Sequence, residues 1–190
     1  AAAHIAGSIS LADAALIACA RGAVVRELAP PGAMALVALP ASAIAADLAR
    51  VGNRAAVAGA NSPTMTVLSG DIDAIEALVA GFAAQGVFAR KLRVEFASHG
   101  SHMDALAPEL ARRVASVTPS AGSVPFQSTV TTGLLDGAAL DASYWGENLR
   151  QPVRFAEAAA ALVAAGHTTF LEIGPSPVLK LALEEIGRAA

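Results

Sequence analysis

Between residues 33 and 94, apolar runs of strand length alternate with two helix-length amphipathic segments, and their order leaves few ways to fold. Met34–Leu39 reads as a strand, and Ala41–Val51 as a helix closed by Gly52–Asn53. Ala55–Ala60 and Thr64–Ser69 read as two strands joined through Asn61–Ser62–Pro63. Asp71 is predicted to cap a helix from Ile72 to about Gln85, stopped by Gly86, and Val87–Val94 closes the unit as a fourth strand. The order βαββαβ is the ferredoxin-like pattern, an antiparallel sheet with two helices on one face.

The flanks read differently. Ser10 followed by Asp13 has the form of a capping box, opening a helix that runs to about Leu28 before Pro30–Pro31 stop it. After Met103 the pattern predicts a helix to about 117, a strand over Val124–Val130 and a turn-rich stretch through Asp141. A helix from about Pro152 to Ala165, a buried strand Thr168–Ile173, a Gly174–Pro175 turn and a last helix from Pro177 follow. That alternation argues α/β layering with a parallel sheet. Residues 1–32 and 95–190 are therefore expected to form one larger α/β body, interrupted by residues 33–94.

Composition narrows the function. Of the 190 residues 55% are hydrophobic, enough for a sizeable core, although much of this is alanine, which buries little area. Aromatic content of 4% leaves no stacking platform for single-stranded nucleic acid. The net charge of −3, with no Lys/Arg cluster, argues against binding phosphate backbones. Cys19 is the only cysteine, so neither an intrachain disulfide nor a cysteine-based zinc site can form. No basic-then-apolar leader and no long uncharged apolar run occurs, so the expectation is a cytoplasmic protein without membrane contact.

Chemistry concentrates at Phe96–Ala97–Ser98–His99–Gly100, where a histidine follows the alternating run Lys91–Leu92–Arg93–Val94. A histidine at the end of a strand is fixed by the strand and reachable through the loop, which suits proton transfer. Upstream lies Ala1–Ala2–Ala3–His4–Ile5–Ala6–Gly7; downstream lies Tyr144–Trp145–Gly146–Glu147–Asn148–Leu149–Arg150–Gln151–Pro152–Val153–Arg154–Phe155. In that order and spacing, the three blocks resemble the acyltransferase domain of modular polyketide synthases and, more distantly, malonyl-CoA:acyl-carrier-protein transacylases.

The resemblance implies a partial α/β-hydrolase-like body interrupted by the ferredoxin-like unit, and an enzyme moving a malonyl-type extender from CoA, through a seryl ester, to the phosphopantetheine of an acyl carrier protein. It implies acyl-CoA, the carrier protein and neighbouring synthase domains as partners, and no retained cofactor. In the family a Gly-His-Ser-x-Gly elbow stands just before the segment matching Ala1–Gly7, so the chain is expected to be the carboxy-terminal two-thirds of the domain and inactive by itself. His99 matches the base, and the backbone carbonyl that orients it is expected from Asn148. Arg21 matches the arginine that clamps the extender's free carboxylate, and Asn61 matches an asparagine near the cleft. Phe96, Ala97 and Ser98 would shape the pocket around the α-carbon. They are closer to the family's Tyr-Ala-Ser pattern, associated with methylmalonyl units, than to His-Ala-Phe, associated with malonyl.

Plain structural roles stand beside these. His99 could tie a loop, Arg21 could lie on a solvated helix face, Asn148 could cap a helix, and Asn61 fits turn chemistry. His4 reads as a satisfied core or interface histidine, and His167 as a cation at a helix end. His102 with Asp104 lacks any metal-ligand pattern. A non-catalytic docking module built on residues 33–94 remains the alternative, while no Gly-x-Ser-x-Gly supports an unrelated hydrolase.

Overall fold

A computed structural model describes residues 1–174 and 177–189; Pro175 of the expected Gly174–Pro175 turn lies outside them. After a single turn α1 (Ala2–Ile5), Ser10 opens α2 (Leu11–Leu28) as its spacing predicts. The Asp13 N–H donates to Ser10 Oγ at 3.0 Å, and the Ser10 hydroxyl donates to the Asp13 carboxylate at 2.8 Å. Ala29, extended ahead of Pro30, ends the helix. Its inward stripe of Ile17, Ala20 and Val24 joins Met103, Leu106, Leu110, Leu140 and Leu149 in one of two cores.

The other core belongs to residues 33–91. Strands β1 (Ala33–Val37), β2 (Ala55–Ser62), β3 (Met65–Gly70) and β4 (Ala89–Lys91) form one sheet in the order β2-β3-β1-β4, every pair antiparallel. Period-two alternation sends Ala33, Ala35 and Val37 to one face, where they pack with Leu68, Ile44 and the Ile75–Leu78–Phe82 stripe of α4 (Ile72–Ala84). Leu48 and Val51 of α3 (Ala45–Val51) cover the same core. Met34 points to the opposite face, where the Ser98 hydroxyl donates to its sulfur at 3.3 Å. The sheet thus turns one face to its helices and the other to the loop carrying His99.

Several boundaries differ from expectation. The fourth strand keeps only Ala89–Lys91 instead of Val87–Val94. Asp71 stands at the N-cap of α4 but makes no capping bond; its carboxylate lies 3.1 Å from His102 Nε2 instead. The helix expected over 103–117 is a 3₁₀ turn at Ser101–Met103 followed by α5 (Leu106–Arg113). Pro108 sets that start, because its ring clashes with the carbonyl four residues back. Of Val124–Val130 only β5 (Phe126–Gln127) is strand, paired with β6 (Leu134–Leu135). Past α6 (Ala142–Arg150), α7 (Phe155–Ala164) begins three residues later than expected because Val153 is engaged with β2. Thr168–Ile173 is not a strand, and Leu171 and Ile173 are 85% and 70% exposed. No parallel sheet forms among the described residues; apolar alternation specifies a face to bury but supplies no neighbour to satisfy the backbone. α8 (Lys180–Ala189) closes the chain, its Glu185 accepting from Ser62 Oγ at 2.5 Å and Thr64 Oγ1 at 2.7 Å.

The seam between the two parts runs through the free edge of β2. The Val153 N–H donates to the Ala58 carbonyl at 2.8 Å, and the Ala60 N–H to the Val153 carbonyl at 3.1 Å. Gly59 is needed between them, since a Cβ there would lie 2.7 Å from the Val153 oxygen. Gly59→Val is expected to cost about 1–3 kcal/mol of stability by prying this seam apart. Gly81→Ala on α4 meets nothing within 4 Å and should stabilise by about 0.4–1 kcal/mol. Chemical denaturation of both variants checks the contrast; equal midpoints would refute the seam's role.

Candidate active site

The loop after β4 descends between the two cores. Ala97 is wholly buried, pressed so close under Gly32 that a Cβ on the glycine would lie 2.7 Å from the Ala97 nitrogen. Ala97 therefore fixes the loop and does not line the cavity described below, contrary to its expected place in a pocket wall. His99 follows with φ of 59°, one of two non-glycine residues at positive φ among the described residues. Such a conformation costs of order 1–3 kcal/mol and persists where surrounding structure imposes it. Here the anchors are buried Ala97 and Ser98 on one side and buried Gly100 on the other.

The imidazole Nδ1 lies 2.9 Å from the backbone oxygen of Gln151. A carbonyl only accepts, so Nδ1 carries the proton and the tautomer is fixed with a lone pair on Nε2. Nε2 has no hydrogen-bond partner among the described residues. Burial pushes the His99 pKa down, the Gln151 carbonyl opposes that by holding the Nδ1 proton, and the charge of Arg21 pushes it down further. The net direction is downward, so the ring is neutral and basic near pH 7.

The carbonyl that meets His99 is that of Gln151, not of Asn148 as expected. A signal for it exists: Gln151 precedes Pro152, which bars it from helical geometry. Gln151 takes φ −76° and ψ 151° at the end of α6, which turns its carbonyl out of the helix and across to His99. Asn148, one turn earlier, uses its side chain instead, and its Oδ1 accepts from Arg21 Nη1 at 2.7 Å.

Arg21 is half-buried on α2 beside the Ile17–Val24 stripe, and burial pushes its pKa down. It opens onto a cavity of about 740 Å³ lined also by Ala18, Val25, Phe96, Ser98 and Leu149. Phe96 and Ser98 thus flank the same space as Arg21. Asn61, half-buried on β2, makes no side-chain hydrogen bond among the described residues and joins the site only through its strand's contact with Val153. Two other histidines are satisfied by neighbours: His4 Nδ1 lies 3.0 Å from the Ile9 carbonyl, and His102 Nε2 lies 3.1 Å from the Asp71 carboxylate. No cluster of metal-ligating side chains occurs among the described residues.

A histidine of fixed tautomer thus follows directly on Ser98, which lines a cavity onto which a half-buried arginine opens. The chain belongs to the acyl transferase domain family, whose description fits residues 1–190. It is 44% identical over 186 residues to polyketide synthase GfsB of Streptomyces halstedii, covering 97% of this chain and 3% of that protein. It is 39% identical over 185 residues to erythronolide synthase EryA2 of Saccharopolyspora erythraea, covering 97% of this chain and 5% of that one. Among solved structures, the acyltransferase domain from module 8 of the salinomycin polyketide synthase superposes with a TM-score of 0.94 at 38% identity, covering 98% of this chain and 44% of that one. The malonyl CoA-acyl carrier protein transacylase of Coxiella burnetii gives 0.89 at 25%, covering 96% and 60%. The chain thus spans only a few per cent of the curated synthases and 44% to 60% of these two solved structures.

Proposed function

We propose that this chain supplies the base and the carboxylate-recognising half of a polyketide synthase acyltransferase, loading a malonyl-type extender from CoA onto an acyl carrier protein. Methylmalonyl is the closer match for the extender, because small Ser98 leaves room beside an α-carbon. One observation carries the reading: His99, tautomer fixed by the Gln151 carbonyl, stands near a half-buried Arg21 that a neutral amide holds.

On this reading His99 Nε2 takes the proton of a seryl hydroxyl from another part of the domain as the oxygen attacks the thioester carbonyl. The C–S bond breaks, and the protonated ring returns the proton to the leaving CoA thiolate. In the second half the ring takes the carrier thiol's proton as its sulfur attacks the seryl ester, the C–O bond breaks, and the ring returns the proton to the departing serine oxygen. Arg21 holds the extender carboxylate throughout, a planar fork suited to two parallel N–H···O bonds. Phe96 and Ser98 bound the α-carbon, with Ala97 behind them and Asn61 at the cleft edge. Residues 33–94 act as a ferredoxin-like subdomain set into a hydrolase-like body made by residues 1–32 and 95–190. The carrier protein and neighbouring synthase domains are the partners. The site of action is the cytoplasm, consistent with the fact that no described helix is long and apolar enough to cross a membrane.

Arg21→Ala in the whole acyltransferase domain tests the reading. Transfer from malonyl- or methylmalonyl-CoA should fall roughly 10- to 100-fold while transfer from acetyl-CoA holds or improves, since a charged hydrogen bond is worth about 1.5–3 kcal/mol. Equal losses for acidic and neutral acyl groups would remove the carboxylate assignment.

A further inference from the structure

The end of α6 reaches the site twice. Gln151 at its C-cap gives a backbone oxygen to His99, and Asn148, one turn back, gives a side-chain oxygen to Arg21. Leu149 between them lines the cavity. One helix end therefore touches both the base and the cation, and its rigidity sets how far apart they stand.

The chemistry of residue 148 is the informative part. Arg21 is half-buried yet pairs with no carboxylate among the described residues, although nine other arginine and lysine side chains do. Its partner at 2.7 Å is a neutral amide oxygen. An amide accepts a hydrogen bond and fixes the guanidinium without cancelling its charge, whereas a carboxylate in the same place would do both. Nη2 and Nε make no hydrogen bond among the described residues, leaving the remainder of the fork open to the cavity side.

We propose that Asn148 is a positioning residue for Arg21, a neutral holder that keeps the guanidinium aimed and uncompensated so that an acyl group bearing a free carboxylate is selected. The inference rests on the reading of Arg21 given above and adds to it the identity of the residue that sets the selectivity.

Asn148→Asp separates holding from charge, because it keeps size and acceptor, adds a negative charge, and gives up only an amide N–H₂ that makes no hydrogen bond among the described residues. In the whole acyltransferase domain it should lower kcat/KM for malonyl-CoA roughly 10- to 100-fold, chiefly through KM, and leave acetyl-CoA transfer within a few-fold. Asn148→Leu, which frees the fork without neutralising it, should shift the malonyl-to-acetyl ratio in the same direction by less. Retained acetyl transfer reports that the helix end still serves His99 and that the protein is folded. In an Arg21→Ala background, Asn148→Asp should change the ratio no further, a non-additivity that a general structural role would not produce. If Arg21→Ala shifts the ratio and neither Asn148 variant does, the positioning role is wrong while the clamp stands. If Arg21→Ala leaves the ratio alone, the clamp itself falls. Loss of both substrates in parallel with either Asn148 variant would also overturn the proposal.

Discussion

Replacing His99 with alanine is expected to lower acyl-enzyme formation by roughly 10²–10⁴-fold in the whole domain, the usual contribution of a positioned base. Intact-mass detection of the acyl adduct reads the loss directly, and unchanged circular dichroism separates it from unfolding. The ring also dictates a pH dependence. Its pKa is held below the ordinary value of about 6.5 by burial first and by Arg21 as well, against the opposing Gln151 carbonyl. The acidic limb of the rate profile should therefore lie below that value, and Arg21→Ala should move it upward. The same depression favours folding above about pH 6.5, and that contribution is lost as pH falls toward the lowered folded value. A limb that stayed put in Arg21→Ala would mean the two groups do not sense one another.

Phe82→Ala should cost about 3–5 kcal/mol of stability. Four of the ten buried residues of the core around it, Ala33, Ala35, Ala55 and Ala74, are alanines that cannot extend to fill a void. Phe82, 1% exposed, is the one aromatic side chain of this core among the described residues, so its removal leaves the largest void there. The loss should also reach the active site, because β2 is both part of this unit and the strand that grips Val153, two residues from Gln151. In the whole acyltransferase domain, acyl transfer by Phe82→Ala should accordingly fail at a lower temperature than in the parent, in step with the melting curve. A variant that melts earlier but keeps its activity across the transition would show the two parts to be uncoupled.

How much of this was legible beforehand depends on the range of the forces involved. The strand–helix alternation of residues 33–91 and the Ser10 cap are local effects, and the chain states them openly. Asp71 looked like a cap because helix-start chemistry is also local, but a histidine 31 positions away in the sequence competes for its carboxylate. Thr168–Ile173 reads as a buried strand from its apolar and β-branched residues, yet composition alone cannot summon a partner. At the site, the family resemblance pointed to His99 and Arg21. Which oxygen meets the imidazole was decided by a proline-imposed turn, and the Arg21–Asn148 bond spans 127 positions. The left-handed backbone at His99 carries no signature in composition, since nothing about histidine demands it.

Gly32 and Glu95 flank residues 33–94, yet the Gly32 N–H donates to the Glu95 carbonyl at 3.1 Å. Chain entry and exit thus share one doorway, and its closure entropy grows only slowly with the length of chain beyond it, by about 0.6 kcal/mol per doubling. A lineage could exchange everything between these two residues for a cassette of different length without re-laying the helices that hold His99 and Arg21. The constraints on such an exchange are narrow: a glycine at the threshold to admit Ala97, and a strand edge with a glycine where it meets Val153. Grafting between synthases should therefore succeed or fail at those two thresholds, whatever the sequence divergence of the insert between them.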